Sequence, residues 1–217
     1  MPNYAHHTFD EGGVVIWHIT ESSDELYAML ATHKYDAQLS SKTNEGRRAE
    51  WLVVRLLIKQ LFGDACEVAY HPTGRPYLKG SDLHISISHT RGYAAVAYHS
   101  TSPIGVDIEQ ISARVERIAH RFTSPSESAY IDKCEEGERE MYHLINWSAK
   151  ETLYKLHDTP SMAEFKEAFH IAPYKLSSCG SMQATIHRAE HSQATIHYHL
   201  FPHFVCTWAV KALIVSS

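Results

Sequence analysis

The sequence lacks a cysteine framework, a long apolar run and an excess of basic residues. Its four cysteines are widely spaced and form no CxxC pair, so they are typical of reduced thiols in a cytoplasmic protein. No apolar run approaches the roughly 20 residues that span a membrane. The N-terminus has no basic-then-apolar signal pattern. The net charge of -5 also argues against nucleic acid, whose binders are usually basic. We therefore expect a cytoplasmic protein that binds neither a membrane nor nucleic acid.

The chain has 217 residues, which is long enough for two small domains with cores of their own. Its 44% hydrophobic and 21% charged residues are ordinary for a globular protein. The short polar connection Ser100-Thr-Ser-Pro103 is the best candidate boundary. We predict an N-terminal α+β lobe over residues 1–102 and a C-terminal α+β lobe over residues 103–217.

Hydrophobic periodicity predicts an α+β fold in which each half has a major helix followed by antiparallel strands. The helices are predicted at Asp24–Leu39, Asn44–Leu61, Val115–Phe122, from near Ser126, and from Gly137 to about His157. The strands are predicted at Val14–Ile19, Glu67–Tyr70, Leu83–His89, Tyr93–His99, Ile104–Glu109, Met182–Ala189, Ala194–Leu200 and Phe204–Val215. This order suggests a duplicated architecture.

Two carboxylates end the predicted strand Ile104–Glu109. Because side chains alternate across a strand, Asp107 and Glu109 share one face, and we expect Val106 and Ile108 to point into the core. Neighbouring carboxylates repel unless a cation or proton lies between them, and an oxygen-only pair suits Mg²⁺. An ordinary strand with a solvated polar face is the alternative.

A second acidic residue pattern lies on the predicted helix that ends near His157. Glu151 and Lys155 are four residues apart and share a helix face. They could form a routine surface ion pair, or Glu151 could be a third oxygen ligand with Lys155 beside the same phosphates. On a helix Lys155 lies about 40° from Glu151, whereas Lys150 lies about 100° away on the other side. Lys155 is therefore the better candidate for direct contact with a reacting phosphate.

Arg47 and Arg48 lie in the first turn of the predicted helix Asn44–Leu61. Their positive charge opposes the helix dipole there, which costs a little stability. A bound anion would offset this cost, whereas a solvated helix end would need no ligand.

The two acidic motifs together resemble the paired signature of the 4′-phosphopantetheinyl transferases. The signature consists of Gly105-Val-Asp107-Ile-Glu109 and Trp147-Ser-Ala-Lys150-Glu151-xxx-Lys155. Other matching segments are Gly74-Arg75-Pro76, Ile87-Ser88-His89, and Arg121-Phe-Thr-Ser-Pro-Ser-Glu127. Arg47 to Arg55 is similar to a helix of the two-lobed members, the surfactin- and enterobactin-synthase-activating type. Thr152 and Thr123 depart from the pattern, since many members carry Ala and an aromatic residue there.

This resemblance implies two similar lobes, a pseudo-duplicated fold with the active site in the cleft between them. It implies transfer of 4′-phosphopantetheine from coenzyme A to a serine of an apo acyl or peptidyl carrier protein, releasing adenosine 3′,5′-bisphosphate. Mg²⁺, or alternatively Mn²⁺, would be bound by Asp107, Glu109 and Glu151, and Glu151 and Lys155 would be catalytic. The implied coenzyme A contacts are Arg47, Arg48, Gly74, Arg75, Pro76, Ser88, His89, Lys150 and Lys155. We expect a monomeric holo-acyl-carrier-protein synthase.

Two alternatives share these residues. Another Mg²⁺-dependent phosphate-transfer or phosphodiester-hydrolysing enzyme would use the same carboxylates without a carrier protein. A non-catalytic relative could bind a carrier protein and keep only the fold. The intact set of Asp107, Glu109, Glu151 and Lys155 argues against a non-catalytic relative. The pathway served, whether for fatty acids, polyketides or peptides, stays open.

Overall fold

The structure is a computed structural model that describes residues 3–157, 165–187 and 192–212. The chain divides into two compact units, Met1–Thr101 and Ser102–Ser217. Each unit combines α-helices with an antiparallel sheet, so the predicted α+β class is confirmed. Within the described residues, no helix is long and apolar enough to cross a membrane.

The first unit packs helices against a four-stranded antiparallel sheet of order β1-β2-β6-β5, and β3 and β4 form a separate hairpin. Its strands are β1 Asn3–Phe9, β2 Gly12–His18, β3 Glu67–Tyr70, β4 Pro76–Lys79, β5 His84–Thr90 and β6 Tyr93–His99. Its helices are α1 Ser23–Leu30, α2 Asp36–Ser40 and α3 Glu45–Phe62.

Local sequence signals set the bounds of α3. The Asn44 side chain accepts a hydrogen bond from the Arg47 backbone N–H and so caps the first turn, and Gly63 ends the helix with a φ of 82°. The buried face of α3 packs with α1 and lies beneath β6. The N-terminal half of this helix therefore has a fixed position within the first unit.

The predicted helix Asp24–Leu39 is wrong in its length, because the structure has two short helices there. Ala31 adopts a left-handed conformation with a φ of 52° and ends α1. Leu26 and Leu30 are buried, but polar residues follow Leu30 and leave no continuous apolar face to support a longer helix. Strand β1 was not predicted from the sequence.

The second unit packs its helices on a five-stranded sheet of order β7-β11-β10-β9-β8. Its helices are α4 Arg114–Phe122, α5 Pro125–Ile131, α6 Glu136–His157 and α7 Phe165–Ala168. Its strands are β7 Ile104–Gln110, β8 Phe169–Ile171, β9 Cys179–Ile186, β10 Ser192–Leu200 and β11 Phe204–Val210. Helix α7 and strand β8 were not predicted, and residues 188–189 and 213–215 of the predicted strands lie outside the described residues.

The pairing of β7 with β11 determines what faces helix α6. Asp107 lies opposite Thr207, and Glu109 lies opposite Val205. Val205 belongs to the apolar cluster that includes the buried face of α6, so the carboxylate face of β7 points toward this helix. Val106 and Ile108 are buried, as expected, and Asp107 on the opposite face is buried too. Both faces of β7 are buried, and α6 covers the one that carries the carboxylates.

Candidate active site

Asp107 is held by two donors from helix α6. Only 6% of the residue is exposed. Its Oδ1 accepts a hydrogen bond from Lys155 Nζ at 2.9 Å, and its Oδ2 accepts one from Ser148 Oγ at 2.8 Å. Lys155 Nζ also donates to the carbonyl of Val106 at 3.0 Å. Since both side-chain donors are on one helix, the packing of α6 on β7 fixes the orientation of the carboxylate.

Glu109 is oriented by Trp147. The indole Nε1 donates a hydrogen bond to Glu109 Oε2 at 3.1 Å. The indole ring lies 5.0 Å from the Phe122 ring and 5.8 Å from the Phe165 ring, centroid to centroid, so its position is fixed by packing. Burial and the charge of Asp107 raise the pKa of Glu109, and the bond from Trp147 opposes this rise. The sequence motif included Trp147 but did not predict this contact.

Glu151 lies on α6, where burial and the negative charges of Asp107 and Glu109 affect its pKa. Burial and the charges of Asp107 and Glu109 raise the pKa of Glu151 to about 7, although the charge of Lys155 opposes this rise. The structure therefore brings the predicted residues Asp107, Glu109, Glu151 and Lys155 into one electrostatic cluster, which we call the carboxylate cluster.

The carboxylate cluster fits a hard divalent cation in its donor chemistry. All of its metal-binding atoms are oxygens. The pKa values of Glu109 and Glu151 are both raised, which indicates that Lys155 offsets only part of the negative charge. As the side chains stand, the described part of the chain contains no set of three or more His, Cys, Asp or Glu residues arranged to hold a metal ion. The fit thus rests on charge and donor type.

Lys150 has a different position from the one expected for a ligand contact. The residue is fully buried, and its Nζ donates to Glu127 Oε2 at 2.8 Å and to the Phe122 carbonyl at 2.7 Å. Glu127 also accepts hydrogen bonds from the backbone N–H groups of Ser124 and Ile171. This enclosed ion pair leaves no exposed ammonium for coenzyme A. We therefore correct the assignment of Lys150 and interpret it as a structural residue.

In the first unit, the cationic residues predicted to bind coenzyme A lie on α3 and β5. Arg47 is exposed in the first turn of α3, and Arg48 Nη2 lies 3.8 Å from Asp24 Oδ1. His89 is exposed at the end of β5, with its Nδ1 3.4 Å from Glu50 Oε2 on α3. The structure therefore brings His89 next to the N-terminal half of α3.

The remaining predicted contacts surround the hairpin β3-β4 and the adjoining strand β5. Gly74 has a φ of 88° in the hairpin turn, a conformation that glycine adopts without strain. Arg75 and Pro76 are half-buried after this turn, and Ser88 is buried on β5. Desolvation, the charge of Arg75 and the neighbouring His99 lower the pKa of His84 on β5. The Arg75 guanidinium therefore lies close enough to β5 to affect it.

Comparisons with known proteins concern the same region as the carboxylate cluster. Residues 103–209 match the 4′-phosphopantetheinyl transferase superfamily. A 4′-phosphopantetheinyl transferase of Bacillus subtilis is 35% identical over 83 residues, which are 38% of this chain and 37% of the relative. The 4′-phosphopantetheinyl transferase AcpT of Salmonella typhi is 28% identical over 124 residues, which are 55% of this chain and 64% of the relative. The aligned parts thus span less than two thirds of either relative.

The matched segment runs from just before β7 to near the end of β11, so it contains the whole carboxylate cluster and helix α6. The acidic motifs on β7 and α6 that carried the resemblance both lie inside it. The chain therefore belongs to the 4′-phosphopantetheinyl transferase superfamily.

Proposed function

We propose that this protein transfers the 4′-phosphopantetheine group of coenzyme A to a serine hydroxyl of an apo acyl or peptidyl carrier protein. The carboxylate cluster supports the proposal most directly, because three carboxylates and one ammonium gather inside the segment that matches the family. The names of both relatives support transfer of the same group. The two-lobed subtype, a monomeric state and a cytoplasmic location belong to the same proposal.

In this reaction Glu151 takes the proton of the carrier serine, either directly or through a water molecule. In the metal-free protein, burial and the neighbouring carboxylates raise the pKa of Glu151 to about 7, which favours this carboxylate as a proton acceptor near neutral pH. The serine oxygen forms a bond to the phosphorus that bears the pantetheine arm. The bond from that phosphorus to the bridging oxygen breaks, and adenosine 3′,5′-bisphosphate leaves with the electron pair.

Lys155 offsets the negative charge that develops on the leaving phosphate. Its ammonium lies on the same helix face as Glu151 and contacts Asp107, so it is fixed beside the cluster. Phosphoryl transfer needs charge neutralisation and positioning more than covalent catalysis, which suits a fixed ammonium. Substrate binding would require Lys155 to share its hydrogen bonds between Asp107 and the phosphate.

Asp107, Glu109 and Glu151 would hold Mg²⁺, with Mn²⁺ as a substitute. When bound, the ion would neutralise the pyrophosphate of coenzyme A and polarise its phosphorus–oxygen bonds. Ser148 and Trp147 keep Asp107 and Glu109 oriented for this role through their hydrogen bonds. These two residues act on the ligands and need not contact the substrate.

The first unit would supply contacts to the nucleotide part of coenzyme A. Arg47, Arg48, Arg75 and His89 would bind its phosphates, because guanidinium and imidazolium groups donate charge-assisted hydrogen bonds to phosphate oxygens. Gly74, Pro76 and Ser88 would shape the surroundings of the nucleotide through backbone and hydroxyl contacts.

Mass spectrometry of carrier proteins tests the proposal. The protein is incubated with coenzyme A, Mg²⁺ and several apo-carrier proteins, and we expect at least one carrier to gain a phosphopantetheine group. The gain should vanish when the acceptor serine of the carrier is changed to alanine, and with the variant Asp107→Asn. The exposed Lys133→Gln is the matched surface control and should transfer normally. Cleavage of coenzyme A with no carrier modified would instead support a phosphodiester-hydrolysing enzyme.

A further inference from the structure

Three buried hydroxyl groups connect helix α6 and strand β11 to Asp107. Ser148 Oγ lies 2.9 Å from Thr207 Oγ1, and Thr152 Oγ1 lies 2.7 Å from the same Thr207 oxygen. Ser148, Thr152 and Thr207 are all fully buried. We call these three residues the hydroxyl chain. It ends at Asp107 Oδ2, which accepts a hydrogen bond from Ser148.

Each hydroxyl has one proton to donate, and this determines the direction of the hydrogen bonds along the hydroxyl chain. Ser148 Oγ donates its single proton to Asp107 Oδ2. Ser148 must then accept from Thr207, and Thr207 Oγ1 must in turn accept from Thr152. Thr152 Oγ1 also donates to the Thr207 carbonyl oxygen at 3.1 Å, so its single proton is shared between the two acceptors of Thr207. Each hydroxyl polarises the next, which strengthens the final bond to the carboxylate.

Close packing of α6 on β7 keeps the hydroxyl chain short. A Cβ atom placed on Gly105 would lie only 2.4 Å from the Thr152 carbonyl oxygen. Gly105 therefore lets the helix approach the strand at the level of Thr152. Thr207 lies directly opposite Asp107 across the two strands, so the threonine side chains from helix and strand meet beside the carboxylate.

We propose that Thr152 and Thr207 are positioning residues, which through Ser148 fix the orientation of Asp107 for a divalent cation. This inference rests on the proposed function, which gives the cation its place at the carboxylate cluster. Hydrogen-bonding partners beyond the direct ligands commonly change metal affinity by about 10- to 100-fold. Because Thr207 and Thr152 lie one and two hydrogen bonds beyond Ser148, we expect a loss of about 3- to 10-fold on removal of either hydroxyl.

Direct metal binding tests the inference without relying on catalysis. The full-length protein, free of coenzyme A, is titrated with Mn²⁺, and the free ion is measured by electron paramagnetic resonance. Thr152→Val and Thr207→Val keep the side-chain shape and remove the hydroxyl, and both should weaken binding. Thr152→Ser and Thr207→Ser keep the hydroxyl and should bind within about twofold of the unaltered protein, on the same reasoning. The double valine variant should be little worse than either single variant, since one break already interrupts the chain.

Thr123→Val is the matched control. Thr123 is also a buried threonine of the second unit, but its hydroxyl has no hydrogen-bond partner among the described residues. This variant should leave Mn²⁺ affinity unchanged. The inference is overturned if the valine variants bind Mn²⁺ as the unaltered protein does, or if serine weakens binding as much as valine.

Stability and activity separate the remaining outcomes. If Thr207→Val does not fold, the comparison of Thr152→Val with Thr152→Ser decides the inference alone. Valine variants that only lower the melting temperature would show a purely structural role and overturn it. If the unaltered protein binds Mn²⁺ but modifies no carrier protein, the proposed transferase function is wrong, whatever the valine variants show.

Discussion

At the scale of single residues, the carboxylate cluster contains one carboxylate held by hydrogen bonds and two whose ionised forms are disfavoured. Asp107 accepts hydrogen bonds from Lys155 and Ser148, whereas Glu109 and Glu151 have raised pKa values because burial and neighbouring negative charge disfavour their ionised forms. Folding thus places negative charge where the protein itself only partly offsets it. Such a cluster is a place where a cation or a proton binds favourably.

The pH dependence of stability should show that the ionised form of Glu151 is disfavoured in the folded protein. Its pKa is about 7 in the folded protein and near 4.5 when unfolded, so the folded state binds the extra proton between these values. Metal-free protein should therefore gain stability from this group as pH falls from above 7 toward about 5. The gain is at most about 3 kcal/mol and less at the partial exposure of this side chain.

Chemical denaturation in chelator at pH 8 and at pH 6 measures this effect. Other groups titrate too, so the comparison is with Glu151→Gln, which cannot ionise. Relative to the unaltered protein, the glutamine variant should be more stable at pH 8, and this advantage should shrink at pH 6. An advantage that stays constant with pH would show that Glu151 titrates at its ordinary value.

Lys155 should affect the chemical step more than coenzyme A affinity. Lys155→Ala removes the ammonium beside Asp107, and we expect kcat to fall by about 100-fold, as is common when one charge-stabilising donor is lost. Steady-state kinetics with carrier protein and coenzyme A separate kcat from KM, with Lys133→Ala as the exposed control. An unchanged kcat would refute the role proposed for this lysine.

At the scale of secondary-structure elements, the second unit depends on buried polar contacts of helix α6. The Lys150–Glu127 ion pair joins α6 to the start of α5, and Glu127 also accepts the backbone N–H of Ile171 in β8. Burial lowers the pKa of Lys150, and the charge of Glu127 opposes this shift. One carboxylate and one ammonium thus connect α6 with α5 and the edge strand.

Loss of Lys150 should be a defect of folding. Lys150→Met leaves the Glu127 carboxylate buried without its counter-charge, which typically costs about 3–5 kcal/mol. The double variant Lys150→Met with Glu127→Gln should recover part of this loss, and Lys133→Met should be nearly neutral. Urea unfolding followed by circular dichroism measures the differences. If Lys150→Met keeps its stability but raises the KM for coenzyme A, the original assignment of Lys150 as a ligand contact would be restored.

Gly105 should be required for the contact of α6 with β7. Gly105→Ala places a methyl group against the Thr152 carbonyl and Leu156, so we expect a loss of about 1–3 kcal/mol. Gly137 lies in α6 with open space around it, and Gly137→Ala should stabilise the protein by about 0.5 kcal/mol. Thermal unfolding compares the two, and an equal effect of both alanines would contradict the packing argument.

Elements with strong local signals were predictable from the sequence, and contacts between distant segments were not. The bounds of α3 and α6 follow from hydrophobic periodicity and from Asn44 and Gly63, and the structure agrees within a few residues. The pairing of Lys150 with Glu127 joins positions 23 residues apart, so no local spacing indicates it. The hydroxyl of Thr207 lies outside every recognised motif, and only the register of β11 brings it to Asp107.

At the scale of the whole molecule, the proposed activity assigns different tasks to the two units. Coenzyme A contacts are assigned mainly to residues of the first unit, whereas the cation ligands all lie in the second. The four candidate phosphate-binding residues Arg47, Arg48, Arg75 and His89 do not belong to the segment that matches the family. Their assignment therefore depends on the motif resemblance and needs a test of its own.

Discrimination between coenzyme A and 3′-dephospho-coenzyme A tests the task of the first unit. If Arg75 and His89 bind the 3′-phosphate, the unaltered protein should prefer coenzyme A, and Arg75→Ala or His89→Ala should reduce this preference. Each charge-assisted contact is worth about 1.5–3 kcal/mol, or roughly 10- to 100-fold in discrimination. Calorimetric titration of both nucleotides with each variant measures this ratio.

Mn²⁺ affinity in the absence of coenzyme A should stay the same in both alanine variants, because the carboxylate cluster is unaltered. Equal discrimination by all three proteins would place the 3′-phosphate away from these residues.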